Sequence, residues 1–136
     1  MIFKVREQAV SRRKLEALVD ALVHHSGFRD PKSGVYQARN PGGLRAYQAD
    51  QPQDTDKNRI FLSEIDGLQA ALFDMALKVT GQSAARLTPD ASLTDLVKAY
   101  QMPEATAKHW ANFLKHAMQQ DGITARTTID FFLKDE

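Results

Sequence analysis

A mainly α-helical domain with one small β-hairpin is the architecture this chain predicts, and three observations predict it. Apolar residues recur at spacings of three and four over several stretches. Serine and threonine stand where helix N-caps are needed. The β character is confined to two short runs in the middle of the chain, beside its densest cluster of Pro, Gly and Asn. The 136 residues suit a single domain over 1–136, with residues 1–10 as a charged, extended arm.

Ser11 caps a first helix on which Leu15, Leu18, Val19, Leu22 and Val23 share a face; it runs to His25, and Gly27 stops it. Residues 29–34 form a polar loop. Residues 44–47 and 59–62 form the two legs of the hairpin, and 48–58, nearly devoid of apolar groups, its mobile tip. Ser63 and Glu64 open the strongest helix, whose apolar stripe of Ile65, Leu68, Ala71, Leu72, Met75, Ala76 and Val79 ends at Gly81 and marks it as the central core helix. Ser92 with Asp95 three residues later is a capping-box variant opening a helix over 93–100. After Pro103, Thr106 caps a helix that packs Trp110, Phe113, Leu114, Ala117 and Met118 and stops near Gly122. A last helix over 127–133 buries Ile129, Phe132 and Leu133.

Composition excludes several classes of function. Eighteen basic against seventeen acidic residues leave a net charge of +1, no field that would gather nucleic acid or an anionic membrane. Without cysteine there is no disulfide framework, no thiolate nucleophile and no Cys-ligated zinc. The N-terminus is too polar for a secretory signal, and no apolar run approaches the roughly 20 residues of a membrane span. The chain is therefore expected to stay in the cytoplasm as synthesised. His109 and His116 share a helix face, but a rise of about 11 Å separates them, too far for one metal ion. No metal, no cofactor and no phosphate loop or dinucleotide fingerprint is expected. Lys4, Arg6, Arg12, Arg13 and Lys14 form a local basic cluster, read as a solvated face. The residues fix no oligomeric state.

The segment least explained by local rules reads Ala38-Arg39-Asn40-Pro41-Gly42-Gly43-Leu44-Arg45. Proline pushes Asn40 toward an extended backbone, and the two glycines permit positive φ. Arg39, Asn40 and Arg45 are candidate donors to a ligand, the amides of Gly42 and Gly43 candidate backbone donors, and Tyr36 and Tyr47 candidate faces for a sugar ring. A purely structural turn is the competing reading.

This motif, a first helix ending in Gly27-Phe28, the run from Glu64 to Leu72 and the stretch from Thr88 to Leu96 together resemble lysozyme-like proteins of phages and bacteria, over residues 15–100. The resemblance implies a lysozyme-like helical domain with a ligand cleft between the hairpin and the first helix. Proteins of that family end the first helix in Glu-Gly-Phe or Glu-Gly-Trp, the glutamate being the general acid; here the stretch is His24-His25-Ser26-Gly27-Phe28, and Ser26 takes that place. A serine hydroxyl does not supply a proton near neutral pH as a carboxylic acid of raised pKa does.

Three positions are candidates for chemistry: Ser26 itself, His25 and Asp30. His25 points about 100° away from its helix neighbour and is better explained, with His24, as a favourable charge at a helix C-terminus. Asp30 is a loop carboxylate. Glu64 and Asp66 stand at a helix N-terminus, where negative charge is stabilised, and read as structural. The resemblance thus implies a non-catalytic module that binds a peptidoglycan-like glycan or a protein partner beside the turn. The alternatives are an active glycoside hydrolase with a different acid, and a phage assembly protein carried in the virion.

Overall fold

The structure is a computed structural model that describes residues 2–5, 8–45, 51–54 and 57–134, with the backbone alone for 2–5 and 8–9. Among the described residues the chain is mainly α. Its elements are β1 (Ile2–Val5), β2 (Gln8–Ser11), α1 (Arg12–His25), α2 (Gly34–Gln37), α3 (Glu64–Val79), α4 (Leu93–Ala99), α5 (Thr106–Met118) and α6 (Ile129–Leu133). They fall into two compact units, Met1–Ala21 with Asp74–Glu136, and Leu22–Phe73.

In the first unit β1 and β2 pair antiparallel, Phe3 opposite Val10 and Lys4 opposite Ala9. The sheet of the described residues therefore lies in the segment read as a charged arm. Ser11 ends β2 and caps α1, its hydroxyl accepting the Lys14 amide at 3.3 Å. Leu15 and Leu18 of α1, Met75 and Val79 of α3, Leu93 and Leu96 of α4, Trp110 and Leu114 of α5 and Phe132 of α6 are buried. Both halves of the capping box form on α4: the Asp95 amide donates to Ser92 Oγ at 3.2 Å and the Ser92 amide to Asp95 Oδ2 at 2.9 Å. By contrast, α5 begins without a side-chain cap, since Thr106 is its first helical residue and not its cap. It also stops before Gly122, at Gln119, which takes the left-handed conformation (φ 55°).

Two polar side chains in this unit carry packing. Lys14, read as part of a solvated face, is 1% exposed; its Nζ donates to the Phe131 carbonyl at 2.9 Å and lies 4.1 Å from the centre of the Phe131 ring. A buried amine of this kind ties α1 to α6. Tyr100 places its hydroxyl 3.7 Å from Met75 Sδ, with Lys78 Nζ 4.4 Å from its ring centre and Lys78 paired with Asp74 at 2.7 Å. Burial first, then the charge of Asp74, push the Tyr100 phenol well above its ordinary value.

The apolar stripe of α3 is buried from Ala71 onward, with Leu72 half-buried. Ala71, Met75, Ala76 and Val79 are buried, whereas Ile65 is 67% and Phe73 52% exposed, and Leu62 just ahead of the helix is 92% exposed. The reading of α3 as a core helix throughout is corrected accordingly: periodicity defines a face, and each stretch of that face needs its own cover.

The second unit departs most from expectation. Residues 29–34, read as a loop, lead into α2, which is capped by Ser33 accepting the Tyr36 amide at 3.2 Å. The predicted hairpin legs form no strand among the described residues; the Arg59 amide donates to the Leu44 carbonyl at 3.0 Å between them, and two isolated bridges each join a leg to the tip, Arg45 with Asn58 and Gln53 with Arg59. Tyr47 lies outside the described residues. In the tip, Asp54 accepts the Asn58 amide at 2.9 Å and the Asn58 side-chain amide at 3.1 Å, closing a bonded turn.

Truncating Lys14 to alanine is expected to lower unfolding stability by roughly 2–4 kcal/mol, from lost packing and an orphaned carbonyl. Lys14→Met, which keeps the stem, should lose less; urea denaturation of both variants measures the difference. The raised Tyr100 phenol contributes stability that is complete below its unfolded value of about 10 and is lost as pH rises through the folded value. Ultraviolet titration should show an ionisation beyond the ordinary tyrosine range that Tyr100→Phe removes.

Candidate binding site

The Asn-Pro-Gly turn is held from inside. Asn40 is fully buried, and both hydrogens of its side-chain amide are committed, to the Leu44 carbonyl at 2.7 Å and the Arg59 carbonyl at 2.9 Å. Its Oδ1 accepts the Leu44 amide at 2.8 Å. The Asn40 amide donates to Val35 O at 2.8 Å, and the Gly43 amide to Asn40 O at 3.0 Å. One side chain thus joins two legs that lack a regular ladder.

Close approach to α3 completes the seating. A Cβ on Gly67 would collide with the Arg39 carbonyl oxygen and stand 2.7 Å from Pro41 Cδ, and one on Gly42 would stand 2.8 Å from Ala71 Cβ. Gly43 has φ 62°. Asn40, Gly42 and Gly43, offered by the sequence as ligand donors, are therefore parts of the scaffold: the first has no spare hydrogen, the second is buried, and the amide of the third is used within the turn.

The tip of α1 does meet this turn. Ser26 Oγ lies 2.7 Å from the Pro41 carbonyl and 3.1 Å from that of Val23, and accepts the Phe28 amide at 3.2 Å. Its single hydrogen is engaged in linking helix and turn. His25 is half-buried, its ring edge-on to that of His24 at 4.8 Å. The Arg29 guanidinium is 2.9 Å from His24 Nδ1; desolvation first, then Arg29 and His25, lower the pKa of His24. His24 and His25 both lie in the last turn of α1, as the sequence places them. Asp30 is exposed, and its Oδ1 accepts the Lys32 amide at 3.0 Å in a local turn.

Beside the turn opens a cleft of about 460 Å³ lined by Phe28, Pro31, Tyr36, Gln37, Arg39 and Glu64. Of the residues singled out from sequence, Tyr36 and Arg39 line it, and Arg45 does not. The Phe28 and Tyr36 rings lie 5.5 Å apart at 40°, and Tyr36 is 45% exposed. Arg39 has φ 53°, a left-handed backbone that a non-glycine residue adopts at a cost of about 1–3 kcal/mol. Phe28, named only in the helix ending of the resemblance, and Gln37, on the short α2 that was given no element, were missed as lining residues; Glu64 was recognised only as a helix N-terminal charge. Among the described residues Glu64 is the single carboxylate of the lining, whereas glycoside cleavage ordinarily uses two. Aromatic faces, a guanidinium, an amide and one carboxylate make a surface suited to gripping a polyhydroxylated ligand.

Among the described residues no group of three or more His, Asp or Glu could hold a metal ion, and no helix is long and apolar enough to cross a membrane. Compared with protein-family models, with curated proteins and with solved structures, the chain gives no match.

Asn40→Asp sets a carboxylate oxygen against the carbonyls of Leu44 and Arg59. At pH 7 it should cost at least as much stability as Asn40→Ala, about 2–4 kcal/mol, and regain part of it when acid protonates the new carboxyl. Gly67→Ala should cost about 1–3 kcal/mol by overpacking. Chemical denaturation reads all three; wild-type stability in Asn40→Asp would contradict the buried clamp.

Proposed function

We propose that this chain is a non-catalytic recognition module of lysozyme-like architecture whose cleft takes a sugar unit of a peptidoglycan-like glycan. The observation that carries the reading is the cleft itself: the Phe28–Tyr36 ring pair beside Arg39, Gln37 and Glu64. Tyr36 offers an apolar face to the C–H groups of a pyranose, while Arg39 and Gln37 supply donors to hydroxyls or to a carboxylate on the glycan. The contact of Ser26 Oγ with the Pro41 carbonyl supports this reading, which calls for the helix tip beside the turn. With Ser26 in the acid's place and Glu64 the one carboxylate of the cleft among the described residues, protonation of a glycosidic oxygen and activation of a water have no pair of carboxylates there to share them.

A protein partner is the second reading, favoured by the exposed Leu62, Ile65 and Phe73. Leu62→Ser with Ile65→Ser would abolish such an association while leaving glycan binding intact.

The test is an NMR titration of the ¹⁵N-labelled chain with soluble disaccharide-peptide fragments of peptidoglycan. Shifts should centre on residues 28–39, and Tyr36→Ala and Arg39→Gln should each weaken binding about tenfold, the equivalent of ~1.4 kcal/mol. Absence of binding, or binding indifferent to both changes, removes the site; fragment cleavage by the wild type removes the non-catalytic reading.

A further inference from the structure

In the unit formed by Met1–Ala21 and Asp74–Glu136, α5 and the loop after it border a second cleft, of about 500 Å³. Lys108, Lys115 and Arg126 line it, with Asn112 between the lysines in sequence and the buried Ala111 and Ile123 contributing to its apolar surface. Among the described residues the lining has no carboxylate. Among the described residues the three cationic side chains make no ion pair.

The helix dipole accounts for Lys115 in the last turn of α5, and not for the rest of this arrangement. The whole of α5, Thr106–Met118, lacks Asp and Glu, and Lys108 occupies its first turn, the end of a helix that disfavours a cation. Arg126 sits on a braced loop. The Thr124 amide donates to Thr127 Oγ1 at 2.8 Å and the Arg126 amide to Thr124 Oγ1 at 3.1 Å. The Ala125 carbonyl accepts from the Thr94 amide at 3.1 Å and the Thr94 hydroxyl at 3.0 Å. Little ordering is left for a ligand to impose.

We propose that this cleft binds a compact organic anion, a phosphate or carboxylate carried on a flat apolar body. Lys108 and Lys115 lie seven residues apart, a rise of about 10.5 Å, and so bracket the apolar surface between them instead of converging on one point. The charged head of the ligand is held by Arg126 and one lysine, and its body covers Ala111 and Ile123. A polynucleotide fits less well, since a phosphate track has no use for an apolar floor and the chain carries a net charge of only +1.

The experiment titrates the full ¹⁵N-labelled chain with 2-naphthyl phosphate, with 2-naphthol and inorganic phosphate as separate arms. Shifts confined to α5 and residues 123–126, with affinity for 2-naphthyl phosphate at least tenfold above either control, are expected. Lys108→Gln combined with Lys115→Gln should weaken binding about tenfold at unchanged circular dichroism, and Lys115→Arg should retain it. Equal binding of 2-naphthol, affinity unchanged in the double variant, or shifts centred on residues 28–39 would overturn the assignment. So would a single-stranded oligonucleotide that displaces the probe from α5 at far lower concentration, which would give the surface to nucleic acid.

Discussion

A single buried side-chain amide organises the region from which function is read. Asn40 spends both of its hydrogens on carbonyls fifteen residues apart in sequence, Leu44 and Arg59, and takes back the Leu44 amide on its oxygen. Between legs that form no strand among the described residues, where the Arg59 amide also donates to the Leu44 carbonyl at 3.0 Å, those bonds supply what a ladder would otherwise give. Each is made away from water, where an unpaired partner costs about 1–3 kcal/mol. The turn can therefore hold one shape, and that shape lets Gly42 and Gly67 bring it against α3 and lets Ser26 fasten the tip of α1 to it.

The division of labour that results is sharper than the motif alone suggests. Residues that make an Asn-Pro-Gly turn conspicuous are consumed in building it, and the groups left over for a ligand are those it positions: Arg39 on its N-terminal flank, with Tyr36 and Gln37 from α2, Phe28 from the loop after α1 and Glu64 from the start of α3. The strain of a left-handed Arg39 is offset by the bonds of the neighbouring Asn40, a common relation between a rigid scaffold and a binding residue beside it. The cationic cleft on α5 follows a different logic, with charge set over an apolar surface, and would take a different ligand.

Local rules made a good part of this legible. Ser11 at the start of α1, the Ser92–Asp95 box and the start of α3 at Glu64 all follow from groups within four residues of one another. What depended on distant partners did not. Nothing near Asn40 in sequence announces the Arg59 carbonyl nineteen residues away, so a buried clamp read as an exposed donor. Lys14 looked solvated because its acceptor, the Phe131 carbonyl, is 117 residues on. α2 is only four residues long, too short for periodicity to register, and Gln37 went with it. The exposure of Ile65 beside the burial of Met75 shows the same limit: spacing gives a face, not its neighbour.

The most direct measurement is native-state hydrogen exchange of the Leu44 backbone amide and the Asn40 side-chain amide. If Asn40 is the clamp, both should exchange as slowly as the buried amides of α1 and α3, through unfolding of at least their own unit, and the two should slow or quicken together as urea is added. Exchange of either at the rate of the exposed loop 29–33 would mean that the turn opens freely, and the scaffold described around Asn40 would not stand.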